Sequence, residues 1–128
     1  MPSIFLTPDQ ILDIHRAVIR RTGGNAGLRD YALLESAALA PQETRFGELI
    51  NKTLRTQAAT YWLSLAWNRP FLEGNERTGL VVCEVFLQIN GYLLDMTAPQ
   101  IEEIITRIGI RQVMTKDKLV QSLRIRAS

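Results

Sequence analysis

The chain has 128 residues, 46% of them hydrophobic and 22% charged, with a formal net charge of +2 and a pI near 9.0. Residues 1–128 therefore suit one domain around one core, and so weak a positive balance does not by itself point to nucleic acid. The single cysteine, Cys83, excludes an intrachain disulfide. That fits a reducing compartment. The opening Met1–Leu6 has neither a basic region nor a long apolar stretch of the secretory type. No run approaches the roughly 18–20 apolar residues of a membrane span. A soluble cytoplasmic protein is the expectation.

Thr7-Pro8-Asp9-Gln10 reads as a helix start, with Thr7 as N-cap, Pro8 at the first helical position and Gln10 completing a capping box. Ile11, Ile14, His15, Val18 and Ile19 then recur at helical spacing, and Gly23-Gly24 ends the run. After the loop 25–29, Asp30 caps a second helix through about Leu39, which Pro41 closes. The polar stretch from Gln42 to Asn51 predicts a loop with a short helical turn. A long helix is expected from about Lys52 to Asn68, with Leu54, Ala58, Tyr61, Trp62 and Leu65 on its apolar face. Another is expected from Glu76 to Asn90, apolar on nearly every side and hence central. Gly91 stops it. Tyr92-Leu93-Leu94 predicts a short extended segment, and Thr97-Ala98-Pro99-Gln100 starts a helix to about Ile108. Thr115 caps a last helix, with Leu119, Leu123 and Ile125 inward and Arg124 and Arg126 outward. The expectation is an all-α bundle of about six helices with at most a short β-hairpin or extended segment.

The chemistry concentrates between the two long helices, in Asn68-Arg69-Pro70-Phe71-Leu72-Glu73-Gly74-Asn75-Glu76-Arg77-Thr78. The segment runs into a helix N-terminus, where free backbone N–H groups and the helix dipole favour an anion. Gly74 permits close approach of a phosphate to the backbone. Arg77, one turn in, can fork onto phosphate oxygens. Glu73 is a candidate ligand for Mg²⁺, which favours carboxylates together with substrate phosphates. Asn75 either caps the helix or binds a phosphate. By composition alone the segment equally describes an ordinary connection between helices; the order of its residues is what favours a site.

That order resembles the motif of the Fic family, His-Pro-Phe-x-(Asp/Glu)-Gly-Asn-x-Arg, with Pro70, Phe71, Glu73, Gly74, Asn75 and Arg77 in register. Thr78 fits the death-on-curing (Doc) branch, which tends to continue Arg-Thr. The resemblance extends to Leu6-Thr7-Pro8-Asp9-Gln10, Ile14-His15, Gly27-Leu28-Arg29-Asp30, Leu34-Glu35-Ser36-Ala37 and Asn90-Gly91-Tyr92, over roughly residues 4–95. It implies a toxin that transfers AMP or phosphate from ATP or another nucleoside triphosphate, with Mg²⁺, to a hydroxyl of a protein target. For Doc-like toxins that target is a translation elongation factor. It also implies a small antitoxin whose C-terminal segment folds into a groove, a helix-in-groove contact. By the same resemblance, loop amides, the Asn and the Arg hold the phosphates, the acidic residue binds Mg²⁺, and a histidine deprotonates the target hydroxyl.

Two positions depart from the motif. Arg69 stands where the histidine belongs, and a guanidinium protonated at neutral pH is no general base, although it still attracts phosphate. Glu76 occupies the position before Arg77, where a carboxylate repels phosphate or needs a cation, or simply suits the helix's first turn. A catalytically inactive module that binds an antitoxin or a nucleotide is therefore the alternative to a transferase. A nucleic-acid binder, suggested only by the pI, lacks a basic stripe interleaved with aromatics. Elsewhere, His15, the lone histidine, reads as a hydrogen-bonded structural residue, with a substitute base as the minor alternative. Trp62, Trp67 and Cys83 read as core, and Arg20-Arg21 as a solvated face or a target-docking one. Arg29 and Asp30 border the nucleotide or target edge, although capping accounts for Asp30.

Overall fold

The computed structural model describes residues 2–128, leaving only Met1 of the opening segment outside. It contains six α-helices: α1 (Pro8–Thr22), α2 (Tyr31–Leu39), α3 (Leu54–Asn68), α4 (Asn75–Ile89), α5 (Ala98–Gly109) and α6 (Lys116–Ser122). The helical bundle is the expected architecture. Its boundaries follow the local chemistry: Thr7 with Gln10, and Thr97 with Gln100, close reciprocal capping boxes, and Asp30 accepts from the Leu33 N–H. No helix among the described residues is long and apolar enough to cross a membrane.

Tyr92–Leu94 is extended as expected, and the structure departs from expectation elsewhere in its strands. In place of the loop with a helical turn, a 3₁₀ turn at Ala40–Gln42 leads into an antiparallel hairpin, β1 (Thr44–Arg45) with β2 (Glu48–Leu49). Phe46 and Gly47 at its tip have φ of 54° and 80°, the pair of positive values that a tight two-residue hairpin requires. A second antiparallel pair joins β3 (Tyr92–Leu94) to β4 (Ile125–Ala127). Ile125 is thus in a strand, not on the last helix. α6 ends at Ser122, Leu123 is already extended, and the Asp95 N–H donates to the Arg124 carbonyl at 2.6 Å. Leu123-Arg124-Ile125-Arg126 alternates apolar and basic residues, a period that suits a strand once a partner is present.

The core is a central pair, α3 and α4, rather than α4 alone. Nine residues of α3 and eight of α4 are buried, so both helices are enclosed on several sides. They approach closely where Gly79 faces Trp62: a Cβ at residue 79 would stand 2.7 Å from the Trp62 carbonyl oxygen. Tyr61, fully buried in α3, accepts from the Leu6 N–H at 2.9 Å and so fastens the segment before α1. Burial pushes its phenol up to about 12. Cys83 is also fully buried, and burial pushes its thiol up, away from the reactive thiolate. The packing of α3 on α4 fixes the ends of both helices, and with them the connection 69–74.

Candidate functional site

At the start of α4, Gly74 is the N-cap, with φ 81° and ψ 19° and no side-chain cap. The N–H groups of Asn75, Glu76 and Arg77 open the helix and find no acceptor among the described residues. Three N–H groups therefore point out of one helix end with the positive end of its dipole. A cavity of about 360 Å³ adjoins them, lined by Gly74, Glu76 and Arg77 from this end and by Ile105, Thr106 and Gly109 from α5. Such an end can hold a phosphate through its backbone alone.

The loop reaching this point is anchored from below. Phe71 is buried and stacks on His15, ring centroids 3.7 Å apart and planes 4° from parallel. Asn75 is the first residue of α4, not its cap, and is fully buried. Its Oδ1 accepts from the Phe71 N–H and its Nδ2 donates to the Phe71 carbonyl, each at 3.0 Å. The Asn75 side chain thus clamps the loop through the Phe71 backbone, and its own backbone N–H stays open. His15 has the structural part expected of it: Nε2 donates to the Glu73 carbonyl at 2.8 Å. That assigns the proton to Nε2 and leaves Nδ1 bare, buried and without a partner among the described residues.

Burial is the main cause that holds the His15 imidazole below its ordinary value of 6.5, reinforced by the nearby Arg16 charge and opposed by the bond to Glu73. A depressed folded-state value means that the unfolded chain takes up the proton first. The neutral ring's contribution is therefore complete above pH 6.5 and is lost as pH falls below it. His15 is the only histidine, so urea denaturation at pH 7.5 and 5.5 isolates it. The chain should lose more stability on acidification than its His15→Gln variant; equal losses would contradict this account.

The charged residues converge at the mouth of the site. Glu73 lies at the surface, its Oε2 accepting from the Asn25 N–H at 2.6 Å. Gly24 leaves room for this carboxylate, which a Cβ at that position would strike. Arg69, at the C-terminal cap of α3, is paired with Glu76: Nη1 to Oε1 is 2.6 Å across the loop. Arg77 extends over the same mouth, 3.7 Å from Glu102 of α5. All four of these paired side chains are substantially exposed, so each pair contributes about 1 kcal/mol or less and yields readily to a stronger ligand. Every residue singled out in the motif is thus gathered at one end of the α3–α4 pair. Arg20 and Arg21, in contrast, lie exposed in the last turn of α1.

Other bonds had no sequence signal. The Arg29 side chain reaches the carbonyls of Asn68 and Arg69, and the Arg29 and Asp30 N–H groups both donate to the Pro70 carbonyl. Leu28 and Phe71 form an isolated antiparallel bridge, and the Leu72 N–H donates to the Gly27 carbonyl. The segment before α2 therefore runs alongside the motif loop and holds it in place. Trp67 is only partly buried, and its indole N–H donates to the Ile108 carbonyl at 3.2 Å.

Comparison with known proteins addresses this same region. The model of the "Fic/DOC family" matches residues 5–87, which span α1 to most of α4 and contain the whole loop. A protein of Mycolicibacterium smegmatis named Toxin Doc is 35% identical over 91 residues, 70% of this chain and 70% of that protein. With the motif loop, the helix behind it and the segment bracing it all inside the matched region, this chain belongs to the Fic/DOC family.

Proposed function

We propose that the chain is a Doc-type toxin of a toxin–antitoxin pair. Its site takes ATP or another nucleoside triphosphate and is built to transfer phosphate or AMP to a hydroxyl of a protein target, such as a translation elongation factor. The observation that carries this reading is the open N-terminus of α4, whose N–H groups of Asn75, Glu76 and Arg77 have no side-chain cap and whose first turn includes Arg77, with Arg69 paired to Glu76 beside it. In this reading those amides and Arg77 hold the phosphates, and Arg69 adds a second cation. Phosphoryl and nucleotidyl transfer depend mostly on such positioning and charge.

Glu73 fits a magnesium ion supplied with the nucleotide. One carboxylate at the edge of a phosphate site is what Mg²⁺ needs when it keeps several waters. Among the described residues no group of three or more metal-ligating side chains is present, which suits an ion arriving with its substrate better than a resident one. Bound there, the ion would offset phosphate charge.

The step lacking a residue is removal of the proton from the target hydroxyl. Arg69 cannot accept it. That favours a second reading, an inactive relative that retains binding of nucleotide or antitoxin. For the antitoxin, the cleft of about 320 Å³ between α1 and α4 has a floor of Val18, Leu80 and Val81 and a rim of Arg21, Arg77 and Glu84. Such a floor suits the apolar face of a helix.

Calorimetry with ATP, GTP and their diphosphates in Mg²⁺ tests both readings. Nucleotide should bind, and Arg77→Ala should weaken it about tenfold or more, the usual effect of losing a charge-assisted contact. Unchanged binding in Arg77→Ala would remove the phosphate role. No binding to the intact chain would leave the antitoxin-binding reading.

A further inference from the structure

Residue 69 is held in an unusual place by groups outside the motif. Its backbone is left-handed, φ 51° and ψ 58°, a conformation that residues other than glycine avoid. Two glycine-like demands thus meet at a position that holds arginine: α3 must stop, and the chain must turn toward Pro70. All four carbonyls around the turn, from Trp67 to Pro70, accept hydrogen bonds. Arg111 donates to the Trp67 carbonyl. Arg29 donates from Nη2 to Asn68 at 2.8 Å and from Nε to Arg69 at 2.7 Å. The Arg29 N–H donates to Pro70 at 2.7 Å. One residue of the 24–30 segment therefore grips three successive carbonyls, with residue 69 in the middle.

We propose that Arg29 is a positioning residue: its fork holds residue 69 left-handed and so aims the side chain at that position across the mouth of α4. Arg69 marks the direction, since its guanidinium meets Glu76 on the second residue of that helix at 2.6 Å. A planar fork is suited to this task. It reaches two carbonyls of adjacent residues at once, and both bonds must be kept for the peptide between them to stay fixed. A lysine has the same charge and interacts with the same helix dipole, but its ammonium does not reproduce the fork. The importance of this aim for group transfer rests on the reading of residue 69 as the base position; the grip on the backbone does not.

The test compares Arg29→Lys and Arg29→Ala with the unaltered chain by NMR. The readouts are the backbone chemical shifts and the intraresidue HN–Hα contact of residue 69, which is short only when φ is positive. Both variants should lose the left-handed signature at residue 69 while the shifts of α4 stay in place. Loss in Arg29→Lys shows that geometry, not charge, is required. If Arg29 is merely a cap on α3, both variants will melt earlier but keep residue 69 left-handed, and that result overturns the proposal. The signature involves no nucleotide, so failure of nucleotide binding leaves it standing. Conversely, a residue 69 that stays left-handed in both variants removes Arg29's role without touching the nucleotide site.

Discussion

Arg69→His is expected to confer transfer activity on this chain, about 10²–10⁴-fold above the unaltered protein, the usual worth of a positioned base. Cells expressing the variant should grow more slowly, and extracts given labelled ATP should show a labelled protein. The other motif parts are already arranged: open amides at α4, Arg77 over the mouth and Glu73 at its edge. The imidazole would stand on the braced left-handed backbone of residue 69. Its neighbour needs consideration, because Glu76 pairs with Arg69 in the present chain. Without the guanidinium, that carboxylate would stabilise a protonated imidazole and leave a smaller fraction of it free to take a proton near neutral pH. Arg69→His with Glu76→Lys should therefore exceed Arg69→His alone. Arg69→Ala should remain inactive if a base is what is missing; activity in that variant would mean that the guanidinium had blocked the site. A folded, nucleotide-binding Arg69→His chain with neither growth inhibition nor labelling, alone or with Glu76→Lys, would exclude a transferase that lacks only its base.

Phe71→Ala should cost about 3–5 kcal/mol of folding stability, the range for truncating a large buried aromatic. Phe71 is 1% exposed, lies flat against His15 and exchanges two hydrogen bonds with Asn75 through its backbone. Removing the ring leaves a void under the loop and exposes the buried faces of His15 and Asn75, so two clamps loosen along with one contact. Leu72→Ala is the comparison in the same loop. Leu72 is 48% exposed, and its truncation should change stability by about 0.5 kcal/mol or less. Urea denaturation of the two variants gives the contrast. Equal costs at the two positions would mean that the loop is not anchored through Phe71.

Much of the fold was legible because its signals are local. Thr7, Asp30, Thr97 and Thr115 each begin a helix by accepting a backbone N–H three residues on, and that chemistry is written in adjacent residues. The central place of α4 was legible from apolar residues around its circumference, whereas α3 showed only one apolar face and is buried on several. Tyr92–Leu94 was legible as an extended segment, but its pairing was not, because β4 lies about thirty residues away. Ile125 reads as helical in sequence for the same reason.

At the site, the motif brought the right residues together, but the partners decide what each does. Asn75 reads in sequence as a cap or phosphate ligand, while its buried side chain clamps Phe71. His15 gave no sign that it reaches Glu73, 58 residues away. Arg29 is 40 residues from the carbonyl it grips. Bonds formed across such distances follow from the packing of α1 and the 24–30 segment on the loop, and periodicity contains no trace of them.

The central claim is that the N-terminus of α4 receives nucleotide phosphates through its backbone. Titration of the ¹⁵N-labelled chain with Mg²⁺ and ATP, followed by amide NMR, tests it residue by residue. The amides of Asn75, Glu76 and Arg77 should shift together and saturate at one affinity, with smaller changes at Glu73 and Ile105. Shifts confined to other surfaces, with these three amides unmoved at saturating nucleotide, would contradict the account.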